Sequence, residues 1–228
     1  MSESGIQNFE QEKEDRLSVF IESRQPALSY CLKELEKKAL EEHIPIIRTQ
    51  TQCLLQFLME LKNPMRVLEV GSAVGFSALV MEERLRQGGS IVTIERDPER
   101  AEAARKNFGA FHIPEERICL LEGDAAQLLK TMEGPFDLIF MDAAKGQYIH
   151  FLPQILRLLA PGGLLISDNI LKGGELLESK FAVTRRNRTI HKRMREYLDA
   201  LMTEENLSTL LLETGDGTAL SIKREKNR

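Results

Sequence analysis

The sequence is short of several things, and each shortage excludes a class of protein. No apolar run approaches the roughly 18 residues that a membrane-spanning helix needs, so no membrane association is expected. Only three cysteines occur, Cys31, Cys53 and Cys119. Odd in number and far apart, they fit neither a disulfide framework nor a zinc site, and read as buried thiols in a reducing cytoplasm. Fifteen glycines and eight prolines are too few for a collagen-like or low-complexity chain. The first residues, MSESGIQNFEQEKED, are acidic and polar, unlike the basic-then-apolar start of a secretory leader, so a cytoplasmic location is expected.

A surplus of one charge is lacking as well. Thirty-one Lys and Arg against 35 Asp and Glu give a net charge of −4, which speaks against a generally nucleic-acid-coated surface. The average conceals a segregated patch. From Arg185 to Arg195 the chain reads RRNRTIHKRMR, six cations and no acid, and without them 25 basic residues face 35 acidic ones, or −10.

What is present is enough apolar residue, 42% of 228, to bury one sizeable core. Residues 10–62 carry helical spacing: Leu17, Phe20 and Ile21, then Leu28, Leu32 and Leu35 beyond Pro26, then Leu54, Leu55, Leu58 and Leu61 before Pro64. The pattern then changes to the short runs RVLEV, SIVTIE, RICLLEG, FDLIFMD and GGLLISD, bounded by Gly, Pro or Asp. The first four are each followed by a helical stretch. Such alternation predicts a parallel sheet covered on both faces. LSTLLLE and TALSIK flank TGDG and predict a closing antiparallel hairpin, with Gly215 and Gly217 in the turn. The expectation is one α/β domain over 1–228, Rossmann-like, with a helical extension over 1–62 and a mostly parallel seven-stranded core over 63–228.

In such sheets ligands gather at the carboxyl ends of the strands. The first strand ends in Glu69-Val-Gly71-Ser-Ala-Val-Gly75-Phe-Ser77. Ala73 and Phe76 break the dinucleotide fingerprint, and acid-x-Gly-x-x-x-Gly is instead the pattern of S-adenosylmethionine binders. A plain strand-to-helix turn would also use these glycines. The second strand ends in Glu95, placed to accept from ribose hydroxyls, as NAD enzymes also arrange. The third ends in Glu122-Gly123-Asp124-Ala125, where Asp124 can accept from an adenine amino group. The fourth ends in Asp142-Ala-Ala-Lys145 and the fifth in Asp168-Asn169. Side by side, these would bring two carboxylates and an amide together. Three hard oxygen donors favour Mg²⁺ or another divalent cation over zinc. Asp168-Asn169 also suits a plain turn or cap. Lys145 would accept a proton or hold an oxyanion in the same cleft. His43, His112, His150 and His191 show no ligand spacing, and Glu213 reads as an acid flanking the turn.

Taken together, ExGxxxGxS, Glu95, DxxK and DN resemble the metal-dependent O-methyltransferases that include the catechol and caffeoyl-CoA enzymes, over about residues 40–223. Within that family EEHIPII (41–47), IVTIERD (91–97), MDAAKGQY (141–148), SDNIL (167–171) and GDG (215–217) are similar to the bacterial tRNA 5-hydroxyuridine methyltransferases. The resemblance implies a class I methyltransferase fold, S-adenosylmethionine held by Ile47, Glu69, Gly71, Ser77, Glu95, Asp124, Ala125 and Asp142, and a cation on Asp142, Asp168 and Asn169. It also implies catalysis by Asp142 and Lys145, and a homodimer. The acceptor it implies is a tRNA anticodon stem-loop whose wobble 5-hydroxyuridine becomes 5-methoxyuridine. Phosphates would meet Arg185, Arg186, Arg188, Lys192, Arg193 and Arg195 on a helix with Met194, Leu198 and Leu201 inward. A catechol-like small molecule is the alternative acceptor, and a non-catalytic S-adenosylmethionine or nucleotide module the remaining class.

Overall fold

The computed structural model describes residues 16–17, 19–171, 176, 178–179 and 182–225. Helices α1 (Tyr30–Glu41) and α2 (Thr49–Lys62) precede β1 (Arg66–Val70), α3 (Phe76–Glu82), β2 (Ser90–Glu95), α4 (Pro98–Ala110), β3 (Ile118–Glu122) and α5 (Ala125–Thr131). After β4 (Phe136–Met141), a 3₁₀ turn (Lys145–Gln147) leads into α6 (Tyr148–Leu158) and β5 (Leu159–Ser167). The chain closes with α7 (Arg188–Thr203), β6 (Leu207–Leu212) and β7 (Thr218–Lys223).

The seven strands lie in the order β3-β2-β1-β4-β5-β7-β6, parallel except for β7, which runs antiparallel to both β5 and β6. This is the Rossmann-like sheet with a terminal hairpin that the sequence predicts. Alternation along each strand divides the apolar residues between two faces. Val67, Ile91, Phe140 and Ile166 pack under α1–α4 against Leu32, Leu55, Met59, Phe76 and Phe108. Leu68, Ile94, Met141 and Leu165 face Leu129, Tyr148, Ile155, Met194, Tyr197 and Leu201 of α5–α7.

Local chemistry sets the helix ends. Asp97 caps α4, accepting from the amides of Glu99 (2.9 Å) and Arg100 (3.2 Å), with Pro98 supplying the first helical φ. Asp124 caps α5 by accepting from the Ala126 amide at 2.8 Å.

Several expectations shift. The first turns of the basic stretch are not helical: Arg185, Arg186 and Asn187 lie in turns, and α7 starts at Arg188. The buried stripe of α2 is Thr51, Gln52, Leu55, Gln56, Leu58 and Met59, whereas Leu61 is exposed. Tertiary packing, rather than leucine content, chose that face. Cys31 is exposed and Cys53 and Cys119 are half-buried, so none is the sequestered core thiol expected. Leu17, Phe20 and Ile21 are exposed in this single copy. Among the described residues no helix is long and apolar enough to cross a membrane.

The register aligns the strand ends: Val70 pairs with Ile94 and Met141, and Met141 with Ser167. Sheet order reverses between β1 and β4, and there the two following loops nearly touch. Gly71 has φ +103°, and a Cβ on it would lie 2.2 Å from the Asp142 carbonyl oxygen. Gly71→Ala therefore combines a disfavoured φ with a backbone clash, and should cost about 2 kcal/mol or more in denaturant-measured stability.

Candidate active site

A cavity of about 640 Å³ opens over the carboxyl ends of β1, β2, β4 and β5, a volume suited to a nucleoside-sized ligand. Glu95 and Asp124 line one end, the Gly71–Val74 turn its floor, and Asp142, Asp168 and Asn169 the other end. Glu95 is held rigidly. One carboxylate oxygen accepts from the amides of Arg96 (2.8 Å) and Asp97 (2.9 Å), the other from the Ala73 amide at 2.8 Å. Ser72 lines the same floor, and its Oγ is buried without a hydrogen-bond partner among the described residues. An orphan hydroxyl on a cavity wall leaves a bond for a polar ligand to complete. Ile47, Ser77 and Ala125 also line the cavity.

Glu69 does not. Alternation puts it on the same face as Val67, fully buried under α3, where its two oxygens accept from Ser77 Oγ and Thr93 Oγ1, both at 2.5 Å. Its contribution to the cavity is the fixing of Ser77. Burial raises its carboxyl to about 7, although both hydroxyls pull the other way.

At the far end, Asn169 takes a left-handed φ of +60°, which asparagine tolerates, and its Nδ2 donates to Asp142 Oδ1 at 2.6 Å. Asp168 is 2% exposed, and its Oδ1 accepts from Thr218 Oγ1 (3.1 Å) and Thr51 Oγ1 (3.5 Å). Burial pushes the Asp168 carboxyl up, and the nearby Asp216 adds to that. Among the described residues no three His, Cys, Asp or Glu side chains form a metal-ligating group. The set is instead two carboxylates and an amide. Its hard oxygen donors are of the kind that suit a divalent cation such as Mg²⁺. Lys145, half-buried, opens the 3₁₀ turn that follows Asp142.

The groups behind these side chains carry little signal in the sequence. Tyr148 Oη lies 3.0 Å from the Met141 carbonyl and 3.2 Å from the Asp168 carbonyl, bracing the ends of β4 and β5 from beneath. Burial raises that phenol's pKa well above its ordinary value, so it remains a donor. Thr218 directly follows the GDG turn, which gave its position but not its role. Thr51 carried no signal, since only folding brings α2 to β5. Arg48 and Asp216 form a 2.7 Å ion pair on the cavity rim, joining the start of α2 to the hairpin turn.

The basic segment divides. Arg185 and Arg186 are exposed and make no hydrogen bond or ion pair among the described residues, and Lys192 reaches Glu196 at 3.5 Å. The others donate to backbone carbonyls, Arg193 half-buried and Arg188 and Arg195 still exposed. Arg188 donates to Val183, Arg193 to Gly146, and Arg195 to Leu176 and Glu178. His191 is buried with Nε2 3.1 Å from the Glu178 carbonyl. The expected row of outward cations is thus cut to about half, because the neighbouring loop's backbone consumes the rest. Met194 and Leu201 are buried as expected, with Leu198 half-buried and Tyr197 added.

A model of the O-methyltransferase family matches residues 22–224, and the chain belongs to that family. It is 34% identical over 128 residues to a catechol O-methyltransferase of Niastella koreensis, covering 54% of this chain and 58% of that protein. A catechol O-methyltransferase of Mycobacterium tuberculosis is 34% identical over 126 residues, covering 55% and 56%. The chain thus spans little more than half the length of these curated relatives. The crystal structure of the SAH-bound methyltransferase PaMTH1 of Podospora anserina superposes with a TM-score of 0.82 at 29% identity, covering 95% of this chain and 96% of that one. The fold is therefore the Rossmann-like methyltransferase fold.

The Glu69 carboxyl gives a pH test. Its folded pKa of about 7 exceeds the ordinary 4.5, so the folded state binds the proton more tightly. The stability this contributes is complete below pH 4.5 and is lost as pH rises through about 7. Glu69→Gln removes that loss. Relative to the variant, the wild-type protein should lose on the order of 3 kcal/mol between pH 4.5 and pH 8, read from denaturant midpoints.

Proposed function

We propose that the protein is an S-adenosylmethionine-dependent, divalent-cation-assisted O-methyltransferase whose acceptor is 5-hydroxyuridine at the wobble position of a tRNA anticodon. The observation that carries the chemistry is one cavity with Glu95 and Asp124 at one end and Asp142, Asp168 and Asn169 at the other. When bound, S-adenosylmethionine would supply a methyl group from its sulfonium, and a divalent cation would orient and acidify the acceptor hydroxyl.

The chain's own residues provide the rest. Glu95 takes the ribose hydroxyls and Asp124 the adenine amino group, while Ser72, Ser77 and Ile47 receive the methionine portion. Asp142, Asp168 and Asn169 would hold the cation. Lys145 would accept the acceptor hydroxyl's proton or hold the resulting oxyanion. Fixing donor and acceptor in line supplies much of the rate.

Acceptor choice rests on charge. A chelating hydroxyl beside a second oxygen occurs in both catechols and 5-hydroxyuracil, so the cation site does not discriminate. Arg185 and Arg186 do: a small catechol has no use for exposed arginines, whereas an anticodon loop carries phosphates. The catechol reading is favoured in turn by the names of the relatives that match. Phe57, Leu61, Leu210 and Ile222 are exposed in one copy, which supports a homodimer.

The protein incubated with S-adenosylmethionine, Mg²⁺ and 5-hydroxyuridine-containing tRNA should yield 5-methoxyuridine by nucleoside mass spectrometry, with a parallel incubation on catechol testing the second reading. Methylated catechol with untouched tRNA moves the acceptor to the second reading, and no product from either overturns the activity. Asp168→Ala should lower kcat/KM more than about 100-fold and abolish Mn²⁺ binding while SAH affinity is kept. Activity unaffected by EDTA and by this substitution would remove the cation from the mechanism. If about three phosphates are engaged, the log–log salt slope of RNA affinity should be near −2. Arg185→Glu with Arg186→Glu should weaken that affinity and flatten the slope, with SAH affinity intact.

A further inference from the structure

We propose that Arg193 is a positioning residue for methyl transfer, its guanidinium fixing the turn that carries Lys145. The inference rests on the reading of Lys145 given above. It begins from the character of that turn. Lys145–Gln147 is a single 3₁₀ turn with no side-chain cap at Ala144 and no buried residue of its own. Its backbone bonds run from the Gln147 amide to the Ala144 carbonyl at 2.8 Å and from the Tyr148 amide to the Lys145 carbonyl. Short 3₁₀ turns have poor hydrogen-bond geometry and are locally weak.

A side-chain tether to the turn arrives from 47 residues away. Arg193 Nη1 donates to the Gly146 carbonyl at 3.1 Å, one residue beyond Lys145, and Ile190 lies one helical turn before it over the same glycine. A charged donor on a carbonyl is a stronger tether than a neutral one. The helix presenting it is itself anchored. Met194, Tyr197 and Leu201 are buried, and Tyr197 Oη is 2.6 Å from Ser167 Oγ, at the residue preceding Asp168. The Tyr197 ring also meets Tyr148 edge-on, with centroids 5.3 Å apart. One helix thus references the Lys145 turn and the Asp168 strand end to the same rigid body. Spacing alone places Arg193 among phosphate-binding cations, but its half-buried guanidinium is engaged with the active-site backbone.

The two roles separate experimentally on an acceptor without phosphates. With catechol or 5-hydroxyuridine nucleoside, Arg193→Met should lower kcat about 10-fold or more while KM for acceptor and SAH affinity stay within about twofold. Arg193→Lys, which keeps one charged donor, should recover part of kcat. Hydrogen exchange of a peptide spanning residues 142–150 should quicken in Arg193→Met and less so in Arg193→Lys, with melting temperature little changed. Unchanged kcat with unchanged exchange overturns the proposal. So does unchanged kcat with a raised KM for tRNA alone, which makes Arg193 a phosphate contact. A wild-type protein inactive on every acceptor would overturn the functional reading instead, and the exchange comparison would still decide whether Arg193 orders the turn.

Discussion

The structure depends on holding two carboxylates at adjacent strand ends, Asp142 half-buried and Asp168 buried, where removal from water disfavours the charged form. The pairing of Met141 with Ser167 brings them together, and Tyr148 Oη, within reach of both the Met141 and Asp168 carbonyls, braces the two ends. Asn169 donates to one carboxylate and Thr218 to the other, and the hairpin turn that precedes Thr218 is tied to α2 through Asp216 and Arg48. The antiparallel hairpin added to a parallel sheet thus serves the site directly. Without β7 beside β5, Asp168 would lose the threonine that supports it.

The other end of the cavity follows a different economy. Glu95 is satisfied by three backbone amides, which set its position before any ligand arrives. Glu69 is satisfied by two hydroxyls and stays out of the cavity altogether. Both are acids at or near strand ends. Their difference comes from their place along the strand: Glu95 is the last residue of β2, at the open end of the sheet, whereas Glu69 lies one residue inside β1 beneath α3.

That difference shows what a sequence can disclose. Strand ends were legible because β-rich runs stop at Gly, Asp or Glu, and the acids after β2, β3, β4 and β5 were therefore placed correctly on the cavity wall. That Glu69 is buried under α3 and off the cavity wall is not legible in RVLEV, whose nearly continuous apolar character hides which way each residue faces. The cations of α7 were visible as charge, yet their carbonyl partners were not, since backbone acceptors have no sequence signature. Thr51 and Arg48 became part of the site only through the packing of α2 onto the sheet, which local periodicity does not encode.

The proposed activity requires that Asp142, Asp168 and Asn169 together hold a divalent cation at one end of the cavity. Anomalous diffraction at the manganese edge, from crystals grown with SAH and Mn²⁺, tests it most directly. The account predicts a single strong peak within coordination distance of oxygens from all three residues, with the Asn169 amide turned to present its oxygen. No peak there, or one held by other residues with the Asn169–Asp142 hydrogen bond intact, would contradict it.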